Sequence, residues 1–131
     1  MNNYYLGTRV VLENDMNLYD PNQAFKAGTI FKALDKPYKT YKMPTLTPTS
    51  QREALMMEIQ KYGLVTHDLD LYLDVYPDDE NAIALRRKYY KEYKDLKDTY
   101  DKMNPPFELC SDEMNKVPFP WSTTKFPWGE D

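Results

Sequence analysis

The chain has 131 residues, with 21 acidic against 17 basic side chains and a formal net charge of −4. This length suits a single small domain or two half-size pieces, and 41% hydrophobic residues permit a core of limited size. The acidic balance argues against a general nucleic-acid binder, because such proteins displace counterions from phosphate with an excess of basic side chains. No stretch approaches about 18 consecutive apolar residues, and the start lacks the pattern of a secretory signal. We therefore expect synthesis in the cytosol and no membrane partner.

Prolines divide the chain, because all of them except Pro77 lie outside residues 50–104. The middle is therefore predicted to be helical and both flanks irregular. This gives an N-terminal region of short elements and linker (1–49), a helical hairpin (50–104) and a Pro/Trp tail (105–131). The predicted fold class is mostly α: an antiparallel two-helix hairpin with irregular, Pro-rich N- and C-terminal extensions.

The N-terminal region contains two short predicted elements. Residues 4–12 include β-branched side chains that favour a short strand. A short helix is predicted to begin at Pro21, with Asp20 as its cap, and to end at Gly28. Residues 39–49 carry two prolines and several threonines, which predicts an extended connector.

The stretch from Ser50 to Val75 is predicted to be a helix with two apolar sides. It begins with a capping box, in which the Ser50 hydroxyl accepts from the backbone of Glu53 and Glu53 reaches back to the Ser50 N–H. The first row, with alternate spacings of four and three, consists of Leu55, Ile59, Tyr62, Thr66, Leu69, Leu73 and Tyr76. The second row projects roughly opposite, at about 100° per residue, and consists of Met57, Leu64, Leu71 and Val75.

A second helix is predicted from about Asp79 to Met103. Pro77 ends the first helix, Asp78 is a suitable cap, and the acidic run favours a helix N-terminus through the dipole. The apolar face of this helix consists of Ala82, Leu85, Tyr89, Tyr93, Leu96, Tyr100 and Met103, and the opposite face is charged. The short turn makes the two helices an antiparallel hairpin.

The hairpin is expected to need a third layer, because two helices of about 25 residues bury little by themselves. The second row of the first helix has no place against its partner helix and should therefore be covered by something else. Two candidates remain open at this point. One is another chain, and the other is the N-terminal region, through Phe25, Ile30 and Phe31.

The tail repeats a Phe-Pro-Trp triplet at residues 119–121 and 126–128. Proline stiffens the backbone before binding, and tryptophan is enriched at interface hot spots. We therefore predict that partner binding uses the second row together with Phe119, Trp121, Phe126 and Trp128. The alternative, in which the tail folds back on its own hairpin, stays open.

No catalytic motif is present, and we predict a protein that is not an enzyme and has no cofactor. The single Cys110 excludes an intramolecular disulfide, and one cysteine with one histidine does not make a nucleophilic site. A metal-binding alternative uses His67, Asp70 and Asp74, but the Glu-x-x-His pairs of di-metal bundles are absent. A tetratricopeptide-like binding module is a further alternative, although stable arrays need about three repeats and one hairpin is visible.

Two parts of the sequence resemble known families. The run Asp68-Leu69-Asp70-Leu71-Tyr72-Leu73-Asp74, then Pro77-Asp78-Asp79 and a Tyr-rich helix with a Pro/Trp tail, is similar to the CotJB spore-coat family over about residues 50–131. The pieces Tyr19-Asp20-Pro21, Gly28-Thr29-Ile30-Phe31 and Pro37-Tyr38, within about residues 18–38, resemble the companion CotJA family. The chain thus looks like a CotJA–CotJB fusion. It departs from the patterns at Val75-Tyr76, where Thr-His is expected, and at Lys32, which is often proline.

This resemblance implies a structural component of the bacterial endospore coat, made in the cytoplasm of the mother cell. It also implies association with a manganese-catalase-like coat protein encoded alongside, so that any manganese would belong to the partner. On this basis the sequence predicts an adaptor whose second row and tail bind the catalase-like protein, other copies of the chain, or both.

Overall fold

The computed structural model describes residues 16–36, 44–103, 105–106 and 108–123. In chain order the helices are α1 (Pro21–Ala27), α2 (Gln51–Val75), α3 (Glu80–Met103) and α4 (Pro120–Thr123), with 3-10 turns at Lys32–Leu34 and Asp112–Met114. The long helices α2 and α3 pack against each other as a hairpin, which confirms the predicted fold class. Within the described ranges, the strand-like pairing is one isolated bridge between Leu18 and Phe31. The strand predicted at 4–12 lies outside them.

Helix α1 is bounded as its sequence predicts. The Asp20 carboxylate accepts hydrogen bonds from the N–H groups of Asn22 at 2.8 Å and Gln23 at 3.1 Å, and Pro21 occupies the first turn. The helix ends at Gly28, whose φ of 82° lies in the left-handed region. Glycine suits this position because a side chain would be strained there.

Helix α2 begins with a capping box that extends one residue further than predicted. The Ser50 hydroxyl accepts from the Glu53 N–H at 3.2 Å, as expected. The Glu53 carboxylate reaches back to Thr49, accepting from its N–H at 2.6 Å and from its hydroxyl at 2.7 Å. These bonds to Thr49, with a smaller one to the Ser50 N–H, lower the pKa of Glu53.

Helix α3 is capped by Asp79, so the prediction of Asp78 as the cap was wrong. The Asp79 carboxylate accepts from the Ala82 N–H at 3.0 Å and from the Tyr72 hydroxyl at 2.8 Å. The Asp79 N–H donates to the Tyr76 carbonyl at 3.2 Å, a turn that brings Asp79 rather than its neighbour to the first turn of α3. The bond from Ala82 and then that from Tyr72 lower the pKa of Asp79.

The first row of α2 faces α3, as predicted. Its buried members are Ile59, Thr66 and Leu69, and α3 contributes the buried Tyr100. The prediction that Met103 continues the apolar face of α3 was wrong, because this residue is 53% exposed at the end of the helix.

Tyrosine rings contribute to the packing between the two helices. The rings of Tyr62 and Tyr89 lie 6.1 Å apart. The Tyr93 ring packs against α2 beside Gly63, where an added Cβ would lie 3.4 Å from Cε2 of Tyr93, an ordinary van der Waals contact. Glycine is therefore not required at this position.

The third layer is the N-terminal segment, which we define as residues 16–36. It shares one core with both long helices, made of Ala24, Ile30, Phe31, Val65, Leu69, Tyr72 and Ala82. Of the three residues expected to make this contact, Ile30 and Phe31 are buried and Phe25 is only half-buried. On α2 the segment covers Val65 and Tyr72, which project between the two predicted rows. The N-terminal segment therefore docks beside the second row rather than directly on it.

The cap of α3 gives a test of the fold. Asp79→Ala removes acceptors from Ala82 and Tyr72, so we expect it to lower the free energy of unfolding by about 1–2 kcal/mol. The matched control Asp78→Ala should change it by less than about 0.5 kcal/mol. Urea unfolding at neutral pH measures both.

The same pair of variants gives a pH test. Because the folded-state pKa of Asp79 is lowered, its contribution is present above the unfolded-state pKa and is lost as the pH falls through the folded-state value. The stability difference between wild type and Asp79→Ala should therefore shrink in acid. Equal losses for the two variants at neutral pH would contradict the assigned cap.

Candidate protein-binding surface

One carboxylate on α2 holds the N-terminal segment in place. Asp68 Oδ2 accepts from the Thr29 hydroxyl at 2.7 Å and from the Ile30 N–H at 2.8 Å. Thr29 in turn accepts from the Phe31 N–H at 3.2 Å. Thr29 and Ile30 are buried, so the Thr29 hydroxyl and the Ile30 N–H would lose their acceptor without Asp68.

Tyr72 joins the segment to both helices of the hairpin. Its ring stacks on Phe31 with 5.3 Å between centroids and lies 4.9 Å from the ring of Tyr76. Its hydroxyl donates to Asp79 at the start of α3. Burial, followed by that hydrogen bond, raises the pKa of Tyr72 to about 12, so the hydroxyl remains a donor at neutral pH.

The segment also holds its own shape. The Tyr19 N–H donates to the Ile30 carbonyl at 2.8 Å, which closes the loop that contains α1. The Tyr19 hydroxyl donates to Asp35 at 2.9 Å, and this bond raises the pKa of Tyr19. Lys32 lies 5.5 Å from the centroid of the same ring, a distance at which a cation–π attraction operates.

An apolar groove runs along the junction of the segment and α2. It has a volume of about 160 Å³ and is lined by Phe31, Leu34, Asp68, Leu71, Tyr72, Val75 and Tyr76. Leu71 and Val75, from the second row, are 53% and 67% exposed. Met57 and Leu64, the other two members of that row, are half-buried. We call the groove with Leu71 and Val75 the composite surface, because both parts of the chain build it.

The beginning of the tail packs on the end of α3. Lys97 forms an ion pair with Glu108 at 2.7 Å, and the Ser111 hydroxyl donates to Asp101 at 3.0 Å. Met114 is 3% exposed. Burial raises the pKa of Asp101, although the hydrogen bond from Ser111 and the charge of Lys97 oppose this. Part of the tail therefore folds back on the hairpin, which is one of the two alternatives that the sequence left open.

The apolar end of the described tail remains accessible. Phe119 and Trp121 are 50% and 45% exposed, and Val117 is fully exposed. Phe126 and Trp128 lie outside the described residues. The part of the tail that precedes them is held on α3 through Lys97 and Asp101. Within the described residues, no tail residue lines the groove beside Leu71 and Val75.

The sequence prediction missed Val65, Asp68 and Tyr72 as functional positions. Val65 and Tyr72 are separated by two helical turns and flank the first row, so a search for two opposite rows passes over them. Asp68 forms a hydrogen bond with Thr29, which lies 39 residues earlier in the chain. The helical periodicity of α2 carries no information about such a long-range contact.

The metal-binding alternative gains no support. His67 and Asp74 are exposed, and Asp70 forms an ion pair with Arg86. Among the residues that the structure describes, no group of three or more His, Cys, Asp or Glu side chains is arranged to hold a metal ion. In the same part of the chain no helix is long and apolar enough to cross a membrane.

The fold and surface define a helical-hairpin protein with an N-terminal segment docked on its first long helix. Residues 53–129 match the family described as CotJB protein, and residues 16–38 match the family described as Spore coat associated protein JA (CotJA). The chain therefore belongs to the CotJB family and carries a CotJA segment ahead of it, which confirms the predicted fusion and places the protein in the spore coat. No curated protein and no solved structure matches the chain significantly.

The free energy of unfolding of single variants can distinguish residues of the composite surface from residues of the hydrophobic core. Leu71→Asp or Val75→Asp should each lower the free energy of unfolding by less than about 1 kcal/mol, because the side chain is largely in water. Leu69→Asp, at a fully buried site on the same helix, should cost about 4 kcal/mol or more. Urea unfolding followed by circular dichroism compares the three variants. A large loss at Leu71 would show that this residue belongs to the core.

Proposed function

We propose that the chain is a non-enzymatic structural adaptor that holds another spore-coat protein through the composite surface. The observation that carries this proposal is the exposure of Leu71 and Val75 beside a groove walled by Phe31 and Leu34. Burying a large aliphatic side chain stabilises a contact by roughly 1.5–3 kcal/mol, so two such residues and the groove offer a useful binding energy.

The rim of the composite surface favours a different protein over a second copy in the same contact. Asp74, Asp78 and Glu80 are exposed near Val75 at the end of the hairpin. Two copies meeting through the α2 side of this surface would bring these like charges together, which opposes association. The matching partner therefore has an apolar projection with basic side chains around it.

The proposed partner is a manganese-catalase-like coat protein, and its support is the family membership together with this surface. The adaptor itself contributes binding and no chemistry. Its exposed tail residues, Phe119 and Trp121, offer a second contact region that follows the part of the tail held on α3. A second contact region suits a protein that joins coat components, including further copies through the tail.

Co-purification tests the composite surface. The full chain is co-expressed with the manganese-catalase-like protein, and recovery of the complex is compared between wild type and Leu71→Asp/Val75→Asp. We expect at least a roughly tenfold loss of bound partner, which corresponds to about 1.4 kcal/mol. Ala84→Asp, an exposed position on α3, is the control for added negative charge and should retain binding.

Two results would contradict this assignment. If the double variant retains the partner as well as wild type does, the composite surface does not bind it. If wild type fails to bind the catalase-like protein but forms oligomers that the double variant loses, the partner is a second copy and the argument from the acidic rim is wrong.

The tail is tested separately. Phe119→Ala/Trp121→Ala should weaken assembly of the full chain with coat proteins by removing aromatic anchors, while its unfolding midpoint stays near that of wild type, since both residues are about half-exposed. Sedimentation of mixtures with purified coat extract reports assembly. Unchanged assembly would remove the tail from the proposed interface.

A further inference from the structure

We infer that the face of α2 formed by Val65, Asp68 and Tyr72 is a receptor for a CotJA-type segment that does not need a covalent linker. This hairpin would then also bind such a segment when it belongs to a separate chain. This face shares Asp68 and Tyr72 with the wall of the groove, but its occupant is the N-terminal segment and not a coat protein, so the inference goes beyond the proposed function.

The family boundaries coincide with a physical boundary in the structure. The N-terminal segment and the hairpin match two separate families. The CotJA match ends at residue 38, and the CotJB match begins at residue 53. The described part of the connection, residues 44–49, is exposed and contains Pro44 and Pro48. The buried contacts between the units come from the N-terminal segment and the hairpin themselves.

The segment has the properties of a preorganised ligand. Its backbone is closed by the bond between Tyr19 and Ile30, α1 is capped by Asp20, and Gly28 turns the chain. These interactions lie within the segment and favour its bound shape before docking. A ligand already in its bound shape loses less conformational entropy on binding.

The receptor face combines one polar anchor with an apolar surround. Asp68 accepts two hydrogen bonds, and a carboxylate acceptor makes such bonds stronger than neutral ones. Ala24 and Ile30 are fully buried and Phe31 stacks on Tyr72, so apolar contacts lie beside the anchor, which is itself half-buried. Binding hot spots likewise combine well-packed apolar contacts with a few specific polar ones.

The first experiment cuts the linker of the folded full chain. A protease site is placed within residues 44–49, the protein is cleaved after folding, and the pieces are separated by size exclusion at micromolar concentration. We expect the two pieces to elute together. Separation of the wild-type pieces would overturn the inference.

Substitution of the anchor tests the recognition. Asp68→Ala should release the cleaved segment with about a tenfold or greater loss of affinity, since two charge-assisted bonds are removed. Asp74→Ala, an exposed carboxylate on the same helix, is the matched control and should retain the segment. Circular dichroism of the uncut variants checks that the hairpin is still helical. Retention by a helical Asp68→Ala variant would exclude Asp68 as the anchor.

Exchange tests binding from another chain. A fluorescent peptide of residues 16–38 is added to the cleaved protein, and we expect it to replace the unlabelled segment. A peptide carrying Thr29→Val and Phe31→Ala should not bind. Ala84→Asp, an exposed position on α3, should leave exchange unchanged. The exchange requires no catalase-like protein, which separates this result from the fate of the proposed function. Failure of the wild-type peptide to enter the site would restrict the contact to the covalently linked chain.

Discussion

Burial of Tyr72 beneath Phe31 is the contact on which the rest of the structure depends. The ring closes the core between the N-terminal segment and α2, and the hydroxyl reaches Asp79, which caps α3. One side chain therefore connects all three layers. Because the tyrosine is buried, its hydroxyl requires an acceptor, and the cap of α3 supplies it. The angle at which the chain leaves α2 is thus coupled to the docking of the segment.

The composite surface is a consequence of that docking. In a helix, residues three and four apart lie on one face. The segment covers the face of α2 that contains Val65 and Tyr72, and Leu71 and Val75 lie at the edge of this contact. The segment then adds Phe31 and Leu34 as the other wall of the groove. An isolated hairpin would have exposed aliphatic residues but no groove. Any partner that recognises the groove therefore recognises the hairpin together with its segment.

The sequence predicted the local features of this fold well, and the long-range ones incompletely. Caps and ends such as Asp20, Gly28 and Ser50 follow from interactions within a few residues, which the sequence shows directly. The choice of Asp79 over Asp78 depends on how the turn folds back, and that is set by contacts with Tyr72. The face covered by the segment depends on tertiary packing, and no pattern within α2 distinguishes it from the second row.

The covalent fusion explains how a segment of this size can remain docked. A tether raises the effective concentration of the segment at its receptor face to roughly the millimolar range, so even a modest intrinsic affinity keeps the site occupied. The contacts made by Asp68 and Phe31 supply the specificity of docking and, where no linker is present, the binding energy as well. With the segment held in place, the wall that it adds to the groove is also present throughout. Fusion thus converts a surface that would depend on the concentration of a second chain into a permanent feature of this one.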